Sequence, residues 1–286
     1  LKREERREKR EEVSNEAQKD FWNGPAGDVW VEAQEIMDRM LAPLSDAALT
    51  AASPQPGERV VDVGCGCGAT TLAIAQAGAS AWGVDISQPM VERARSRTAG
   101  LDNIAFSVKD AATADYDPEH HLVFSRFGVM FFDDPKTAFG NLRSALVDRG
   151  RLVFVCWQSP RENLFMSVAG RAARPFMPAS EPQDPRAPGP FAFADSEWTE
   201  EILHGAGFSD ISITSLTPSL SVGKTLDEAM YFQARVGPLA RALSELDESV
   251  QAEAKQAVRD ALSEFETDEG VVIPSAAWLV QAVNRS

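Results

Sequence analysis

The middle of the chain alternates short apolar runs with helical patterns, and this alternation constrains the fold more than any other feature. Within residues 57–158 the apolar runs are RVVDVG, SAWGVDIS, NIAFSVKD, HLVFSRF and GRLVFVCW. Helical patterns such as ATTLAIAQAG and PKTAFGNLRSALV separate them. Strands that alternate with helices form a parallel sheet, because each crossover helix returns the chain to the same edge. We therefore predict an α/β fold with a doubly wound, mostly parallel sheet that carries helices on both faces.

The segments before and after this core predict helical and loop additions. Residues 1–20 are rich in charges of both signs, and Glu5 and Lys9 have the i,i+4 spacing that supports an exposed helical arm. Apolar residues recur at helical spacing within residues 21–56, which predicts an N-terminal helical lid. The later segments are predicted as a proline-rich loop or lid at 159–194, a helix and strand that complete the core at 195–222, a helical cap insertion at 223–272 and a last strand at 273–286.

The chain is strongly acidic, with a formal net charge of −15 at pH 7 and a pI near 4.7. An acidic surface repels phosphate backbones and anionic lipid, so we predict a small-molecule partner and neither nucleic acid nor membrane. No apolar run approaches the roughly 20 residues that span a bilayer, and the first residues lack the apolar core of a secretion signal. We expect a cytoplasmic protein, and the sequence leaves open whether it forms a homo-oligomer.

The stretch VVDVGCGCGATT, from Val60 to Thr71, places three glycines and two cysteines directly behind the first predicted strand. A structural zinc site needs four ligands, but Cys65 and Cys67 have no second pair and Cys156 lies inside a predicted strand. We therefore predict no metal and interpret the two cysteines of the stretch as small residues that fill a tight turn.

Two nucleotide-binding interpretations of the same stretch differ in how well its residues fit them. A phosphate-binding loop needs Lys followed by Ser or Thr after its last glycine, and this chain has Gly68, Ala69 and Thr70 there. The spacing of a dinucleotide-binding loop is met if Ala69 replaces the third glycine, which keeps an NAD(P)-dependent oxidoreductase as an alternative. However, Asp62 lies two residues before the first glycine, where a carboxylate repels a pyrophosphate and attracts a cationic group.

An acid, one residue and three alternating glycines make up this loop, as Asp62, Gly64, Gly66 and Gly68. This pattern resembles the glycine loop of the class I S-adenosylmethionine-dependent methyltransferases. The likeness continues in order to about Trp157, and it is nearest to the small-molecule group related to the ubiquinone and menaquinone biosynthesis methyltransferases; FWNGPAGDVW adds to it. The resemblance implies a Rossmann-like fold with a seven-stranded sheet, in which residues 57–158 bind S-adenosylmethionine and release S-adenosylhomocysteine.

The resemblance also implies which residues hold the cofactor. Asp85 ends the second predicted strand and matches the acid that binds the ribose hydroxyls, while the end of the third strand matches the segment that flanks adenine. Glycines let the backbone approach the methionine part, and the following helix N-terminus offers unpaired N–H groups. The predicted cofactor-binding residues are Asp62, Gly64, Gly66, Gly68, Asp85, Ile86, Met90, Asp110, Ala111 and Ser125.

We predict no catalytic residue for the transfer step. A sulfonium already activates its methyl group, so the protein mainly has to align a nucleophile and exclude water. We expect His120, His121 and His204 to be solvated or structural. The function that follows is transfer of a methyl group to a small molecule by in-line displacement. The alternatives are the oxidoreductase and an S-adenosylmethionine-binding protein without catalytic activity, and the acceptor atom is left open among O, N, S and C.

The segment after the fourth strand narrows the range of possible methyl acceptors. Methyltransferases that act on DNA amino groups carry Asn or Asp, prolines and an aromatic there, whereas this chain has the residues Ser, Arg, Phe and Gly at 125–128, which disfavours base methylation. Asp133 and Asp134 could invite a metal, but they directly precede Pro135, and we expect them to cap a helix.

Substrate contacts are expected from the variable parts of the chain. A guanidinium at the end of the fourth strand is costly to bury alone, so Arg126 either pairs with an internal acid or meets an anionic or carbonyl-bearing substrate. The predicted substrate-binding residues are Phe21, Trp22, Trp30, Arg126 and Phe127.

Overall fold

The computed structural model describes residues 15–177, 184–235 and 246–285. These residues form the strands β1 (Arg59–Val63), β2 (Ser80–Asp85), β3 (Ile104–Val108), β4 (His120–Arg126), β5 (Leu146–Trp157), β6 (Ser209–Leu216), β7 (Ser219–Gly223), β8 (Glu266–Thr267), β9 (Gly270–Pro274) and β10 (Ala277–Val283). The main sheet has seven strands in the order β3-β2-β1-β4-β5-β10-β6, and only β10 runs antiparallel to its neighbours. The predicted doubly wound, mostly parallel seven-stranded sheet is confirmed.

The same residues form the helices α1 (Glu16–Asn23), α2 (Pro25–Glu32), α3 (Gln34–Ala52), α4 (Ala69–Gln76), α5 (Gln88–Arg97), α6 (Pro135–Ser144), α7 (Leu164–Ala173), α8 (Ser196–Gly205), α9 (Leu226–Gln233) and α10 (Glu248–Ser263). Within the described parts of the chain, no helix combines the length and apolar composition needed to cross a bilayer.

Alternate residues of the central strands face two separate hydrophobic cores. Leu122 and Phe124 of β4 pack with Ala48 of α3 and with residues of α4 on one face of the sheet. Val123 points to the opposite face, where Phe139 of α6 belongs to the same core. Because successive side chains of a strand point to opposite faces, a strand that is buried on both faces must be apolar throughout. The burial of β1, β4 and β5 therefore explains the continuous apolar runs of the sequence.

A small subdomain interrupts the connection between β6 and β10. It contains β7, α9, α10, β8 and β9, and its strands form a three-stranded antiparallel sheet in the order β7-β9-β8. Strand β6 ends and β10 begins where the central parallel strands end, because β10 is antiparallel to β5. The subdomain therefore lies at the carboxyl edge of the main sheet, where α/β proteins bind their ligands.

Two expectations for the later segments need correction. The predicted helical cap at 223–272 also contains β8 and β9, because the apolar run of residues 271–273 pairs with β7. The predicted strand within 195–222 is two strands, separated at Pro218, whose carbonyl accepts hydrogen bonds from the backbone and hydroxyl of Ser275.

The predicted proline-rich loop at 159–194 begins with helix α7. The apolar residues before Pro175 pack this helix against α10, and the buried side chain of Asn163 anchors its start to the backbone of Gln158 and Ala276. Some expectations fall outside the described residues: most of the charged arm, up to residue 14, and parts of the loop and of the cap, at 178–183 and 236–245.

Candidate cofactor and substrate site

The glycine loop lies at the carboxyl end of β1 and has a backbone that only glycine adopts easily. Gly64, Gly66 and Gly68 have φ values of +67°, +52° and +81°. A Cβ on Gly64 would lie 2.6 Å from the Cα of Gly128, and a Cβ on Gly128 would lie 2.8 Å from the Cα of Gly64. Two backbone segments therefore cross without room for any side chain. The sequence analysis missed Gly128, because a single glycine after β4 carries no spacing signal.

Asp62 precedes this loop and is buried. Its Oδ2 atom accepts hydrogen bonds from the hydroxyls of Thr70 and Thr71, at 2.8 and 2.6 Å. Its Oδ1 atom is also buried and has no hydrogen-bond partner among the described residues. Burial raises the pKa of Asp62 to about 6, although the two threonines act in the opposite direction. A buried acceptor without a donor is costly, so this oxygen fits a cationic or N–H group of a ligand.

Asp85, at the end of β2, holds the loop in place. Its Oδ2 atom accepts from the backbone N–H of Gly66 at 2.8 Å, and its Oδ1 atom accepts from that of Ser87 at 2.9 Å. Burial raises the pKa of this carboxyl group, while the backbone hydrogen bonds lower it. Each carboxylate oxygen has a second lone pair, so Asp85 keeps acceptor capacity for ligand hydroxyls. Met90 is buried, and its sulfur lies 3.8 Å from the position of a Cβ on Gly66.

The segment that was predicted to flank adenine begins after β3. Both carboxylate oxygens of Asp110 accept hydrogen bonds from the side-chain amide of Asn15, at 2.9 and 3.0 Å. Asn15 also accepts from the backbone N–H of Asp133 at 3.0 Å. Ala111 is buried, and its carbonyl accepts from the hydroxyl of Tyr116. The residue before α1 thus ties the end of β3 to the segment after β4.

The segment FWNGPAG packs on the start of α5. Asn23 donates to the carbonyl of Ile86 and accepts from the backbone N–H of Gln88, at 3.0 and 2.8 Å. The Ser87 hydroxyl donates to the carbonyl of Trp22, and a Cβ on Gly27 would lie 3.2 Å from that hydroxyl oxygen. Helices α1 and α2 are therefore fixed beside the Asp85 loop. Neither Asn15 nor Asn23 was predicted, because their partners lie more than 60 positions away.

The three predicted N-terminal aromatic residues lie in this region. The rings of Trp22 and Trp30 meet edge to face at 5.5 Å, and Trp22 meets Phe131 in the same way at 5.3 Å. Phe21 meets Trp22 edge to face at 4.9 Å and keeps 55% of its surface exposed. Packing thus accounts for much of the surface of both tryptophans, and Phe21 is the exposed member of the group.

The end of β4 divides its side chains between two directions. The Ser125 hydroxyl donates to the carbonyl of Val63 and accepts from the N–H of Gly128, so it holds the crossing of the two glycine segments. Phe127 has a φ of +63°, which is rare for a bulky residue, and stacks on Trp157 with ring centroids 3.9 Å apart. Trp157 in turn contacts Phe165 of α7 at 4.8 Å.

Arg126 lies between these groups and points to the face of α3. Its Nη1 atom donates to the hydroxyl of Ser45 at 2.9 Å. Desolvation lowers the pKa of the guanidinium. The sequence analysis expected either an internal acid or a substrate as its partner; among the described residues, no carboxylate lies within 4.0 Å of it.

The remaining candidate groups do not converge on this edge. His120 and His121 begin β4 at the opposite edge of the sheet, and His204 lies exposed on α8. Asp134 accepts from the N–H of Thr137 and caps α6, as predicted. Cys65 has a buried thiol whose pKa is raised by desolvation. The described ranges contain no cluster of three His, Cys, Asp or Glu side chains arranged to hold a metal.

Comparison with known proteins agrees with this geometry. Residues 60–150 match the family described as a methyltransferase domain, and the matched segment contains the glycine loop, the Asp85 loop and the end of β4. Over these residues the chain is similar to a methyltransferase domain, in agreement with the relatives and the solved structure described below. Its predicted family resemblance is confirmed.

Individual relatives are similar over different lengths. A demethylmenaquinone methyltransferase of Clavibacter sepedonicus is 31% identical over 115 residues, which cover 40% of this chain and 47% of that protein. An uncharacterised protein of Mycobacterium tuberculosis is 28% identical over 84% of this chain and 88% of its own length. The crystal structure of magnesium protoporphyrin IX methyltransferase from Synechocystis, with bound S-adenosylhomocysteine, superposes with a TM-score of 0.55 at 19% identity. The superposition covers 96% of this chain and 100% of the Synechocystis chain, and it shows that the two have the same fold.

Proposed function

We propose that this chain transfers the methyl group of S-adenosylmethionine to a small-molecule acceptor. The observation that carries the proposal is the buried Oδ1 atom of Asp62, which has no hydrogen-bond partner in the described parts of the chain and lies beside the glycine loop of a region that matches a methyltransferase domain. The cofactor, when bound, supplies an activated methyl group on a sulfonium centre. The residues of the chain bind and orient it, and they exclude water from the nucleophile.

The loop residues match the parts of this cofactor. Asp62 offers its Oδ1 atom to the ammonium of the methionine part, and the bare backbone of Gly64 to Gly68 lets that part come close. Asp85 accepts from the ribose hydroxyls while it keeps Gly66 in place. Ser125 acts through the glycine crossing, because its hydroxyl is already used there.

The remaining predicted contacts surround the adenosine. Ile86 and Met90 provide apolar contact on one side, and Asp110 and Ala111 flank adenine on the other. The hydrogen bonds of Asn15 and Asn23 hold helices α1 and α2 against both of these segments. These helices therefore form a roof over the adenosine rather than a freely moving arm.

The acceptor lies on the side of the small subdomain. The Trp157 ring stacks on Phe127 and is tilted against Phe165. Together the three rings form an apolar wall between the main sheet and α7, which suits a small molecule with a planar or apolar body. Phe21 and the neighbouring Trp22 and Trp30 border the entrance from the N-terminal side. No histidine of the chain lies at this edge, so alignment and desolvation carry the reaction without a histidine base.

The acidic balance of the chain argues for a metabolite and against nucleic acid or an anionic membrane surface. We also propose a cytoplasmic location, as the sequence analysis expected. The activity of the whole protein is part of this proposal, because the matched region spans only about half of the demethylmenaquinone methyltransferase.

Calorimetric titration tests the proposal in two steps. S-adenosylhomocysteine should bind with one site per chain, whereas NADH should not bind; NADH binding alone would favour an oxidoreductase. Methyl-labelled S-adenosylmethionine is then incubated with fractionated small metabolites, with Asp85→Ala as the control. Label that reaches a metabolite only with the unmodified protein supports a methyltransferase. Tight cofactor binding with no transfer to any fraction supports a non-catalytic binding protein.

A further inference from the structure

The cationic side chains around the cofactor loop differ in how they are neutralised. Arg97 pairs with Asp38 at 2.7 Å, and Arg39 pairs with Glu228 at the same distance. Arg126 instead donates to a hydroxyl, that of Ser45, and among the described residues no acid lies within ion-pair distance of it. A desolvated guanidinium with one neutral partner leaves most of its donors for another anion.

Arg126 and Asp62 lie on the same face of the sheet. Asp62 of β1 is paired in register with Phe124 of β4, and Arg126 is two residues beyond Phe124. Side chains two apart on a strand share a face, so both charges point toward α3 and α4. Each charge also shifts the pKa of the other, although the two groups do not form an ion pair. One face at the start of the glycine loop therefore presents an acidic and a cationic side chain, each with hydrogen-bonding capacity that the described residues leave unused.

An amino-acid head group is the complement of this arrangement. It carries an ammonium and a carboxylate on one carbon atom, and so it needs an anionic and a cationic partner close together. We infer that Arg126 binds the carboxylate of the methionine part of the cofactor, opposite Asp62 at the ammonium. This inference rests on the proposed cofactor, and it moves Arg126 from the predicted substrate contacts to cofactor recognition.

Phe127, the residue after Arg126, supports this division between cofactor recognition and acceptor binding. Phe127 leaves the strand with a positive φ and stacks on Trp157, toward the subdomain and the proposed acceptor. The Ser45 hydroxyl, on α3, orients Arg126 from behind and itself donates to the carbonyl of Leu41. Ser45 thus positions the guanidinium without neutralising it, as a specificity-determining site for a carboxylate requires.

A pair of ligands tests this assignment without any turnover. S-adenosylhomocysteine and its decarboxylated analogue, which keeps the amine, are titrated into the unmodified protein and into Arg126→Met. The unmodified protein should prefer the carboxylate-bearing ligand about 10- to 100-fold, the range expected for a charged hydrogen bond. Arg126→Met should lose that preference. Its affinity for S-adenosylhomocysteine should fall, while its affinity for the analogue should change less than about threefold. The matched control, Arg39→Met, removes a cation that is already paired and should keep the preference.

The outcomes separate the inference from the function on which it rests. If neither ligand binds the unmodified protein, the proposed cofactor is wrong. If both bind and Arg126→Met keeps the full preference, the cofactor stands and the assignment of Arg126 is overturned. Should Arg126→Met fail to fold by circular dichroism, Arg126→Gln, which retains a donor for Ser45, is measured in the same way; retention of the preference there also overturns the inference.

Discussion

The two sides of the candidate site differ in the kind of side chains that they offer to a ligand. The side of the glycine loop, formed by Asp62, Asp85 and Arg126, contains buried charges whose hydrogen-bonding capacity is only partly used. The side of the subdomain, formed by Phe127, Trp157 and Phe165, contains packed aromatic rings. Charges select a ligand by its polar groups, whereas an apolar wall selects mainly by size and shape. On the proposed function, we therefore expect the cofactor to be selected by its charged and polar groups and the acceptor mainly by its size and shape.

The strongest test of the loop side is Gly64→Ala. The added methyl group would lie 2.6 Å from the Cα of Gly128, at a φ that disfavours side chains, so we expect a loss of about 2–4 kcal/mol in the free energy of unfolding. Urea denaturation measures it. Gly140→Ala is the matched control, because its Cβ would meet nothing within 4 Å on helix α6. Equal stability of Gly64→Ala and the unmodified protein would refute the crossing of the two segments.

Asp85→Ala should weaken the binding of S-adenosylhomocysteine by about 1.5–3 kcal/mol, since it removes the proposed acceptors for the ribose hydroxyls and the hydrogen bond from Gly66. Calorimetric titration gives the affinity, and circular dichroism checks the fold. Unchanged affinity in a folded variant would remove Asp85 from the cofactor site.

The pH dependence of binding reports on Asp62. Its pKa is raised from 3.8 to about 6, so in the ligand-free protein this group favours folding most strongly below pH 4, and that contribution is lost as the pH rises to 6. The ionised form is the one that attracts an ammonium. Affinity for S-adenosylhomocysteine should therefore fall about tenfold from pH 7 to pH 5. Asp62→Asn should bind weakly with a flat profile in that range, and an equally steep profile in this variant would assign the titration elsewhere.

The smallest effect is expected on the side of the subdomain. Phe165→Leu keeps an apolar side chain but loses the ring contact with Trp157, which is worth about 1 kcal/mol. For an acceptor found by the transfer assay, kcat/KM should fall about fivefold while the affinity for S-adenosylhomocysteine stays the same. Leu101→Ala, at an exposed turn after α5, serves as the control. A loss of cofactor affinity in Phe165→Leu, with acceptor kinetics unchanged, would reverse the assignment of the two sides.

The same contrast explains what the sequence could predict. Part of the loop side is built from contacts that are short in sequence, Asp62 with Thr70 at 8 positions and Asp85 with Gly66 at 19, so a strand, glycines and a helix in order reveal that part. The lid contacts of Asn15 and Asn23 join residues 95 and 63 positions apart, and they leave no local pattern.

The subdomain was harder to predict for the same reason. Strand β9 is recognisable only through its pairing with β7, almost 50 positions earlier, and helix α7 was hidden by the prolines that follow it. The ion pair between Arg39 and Glu228, which ties α3 to α9, spans 189 positions. Side chains that meet only after the fold has formed cannot be read from spacing.

A crystal structure of the protein with S-adenosylhomocysteine tests the division of the site most directly. The account predicts the ammonium at Oδ1 of Asp62, the carboxylate at Arg126, the ribose at Asp85, and the sulfur on the side of the stacked rings. A complex in which the amino-acid head contacts neither Asp62 nor Arg126, or in which adenine lies against Phe127 and Trp157, would contradict it.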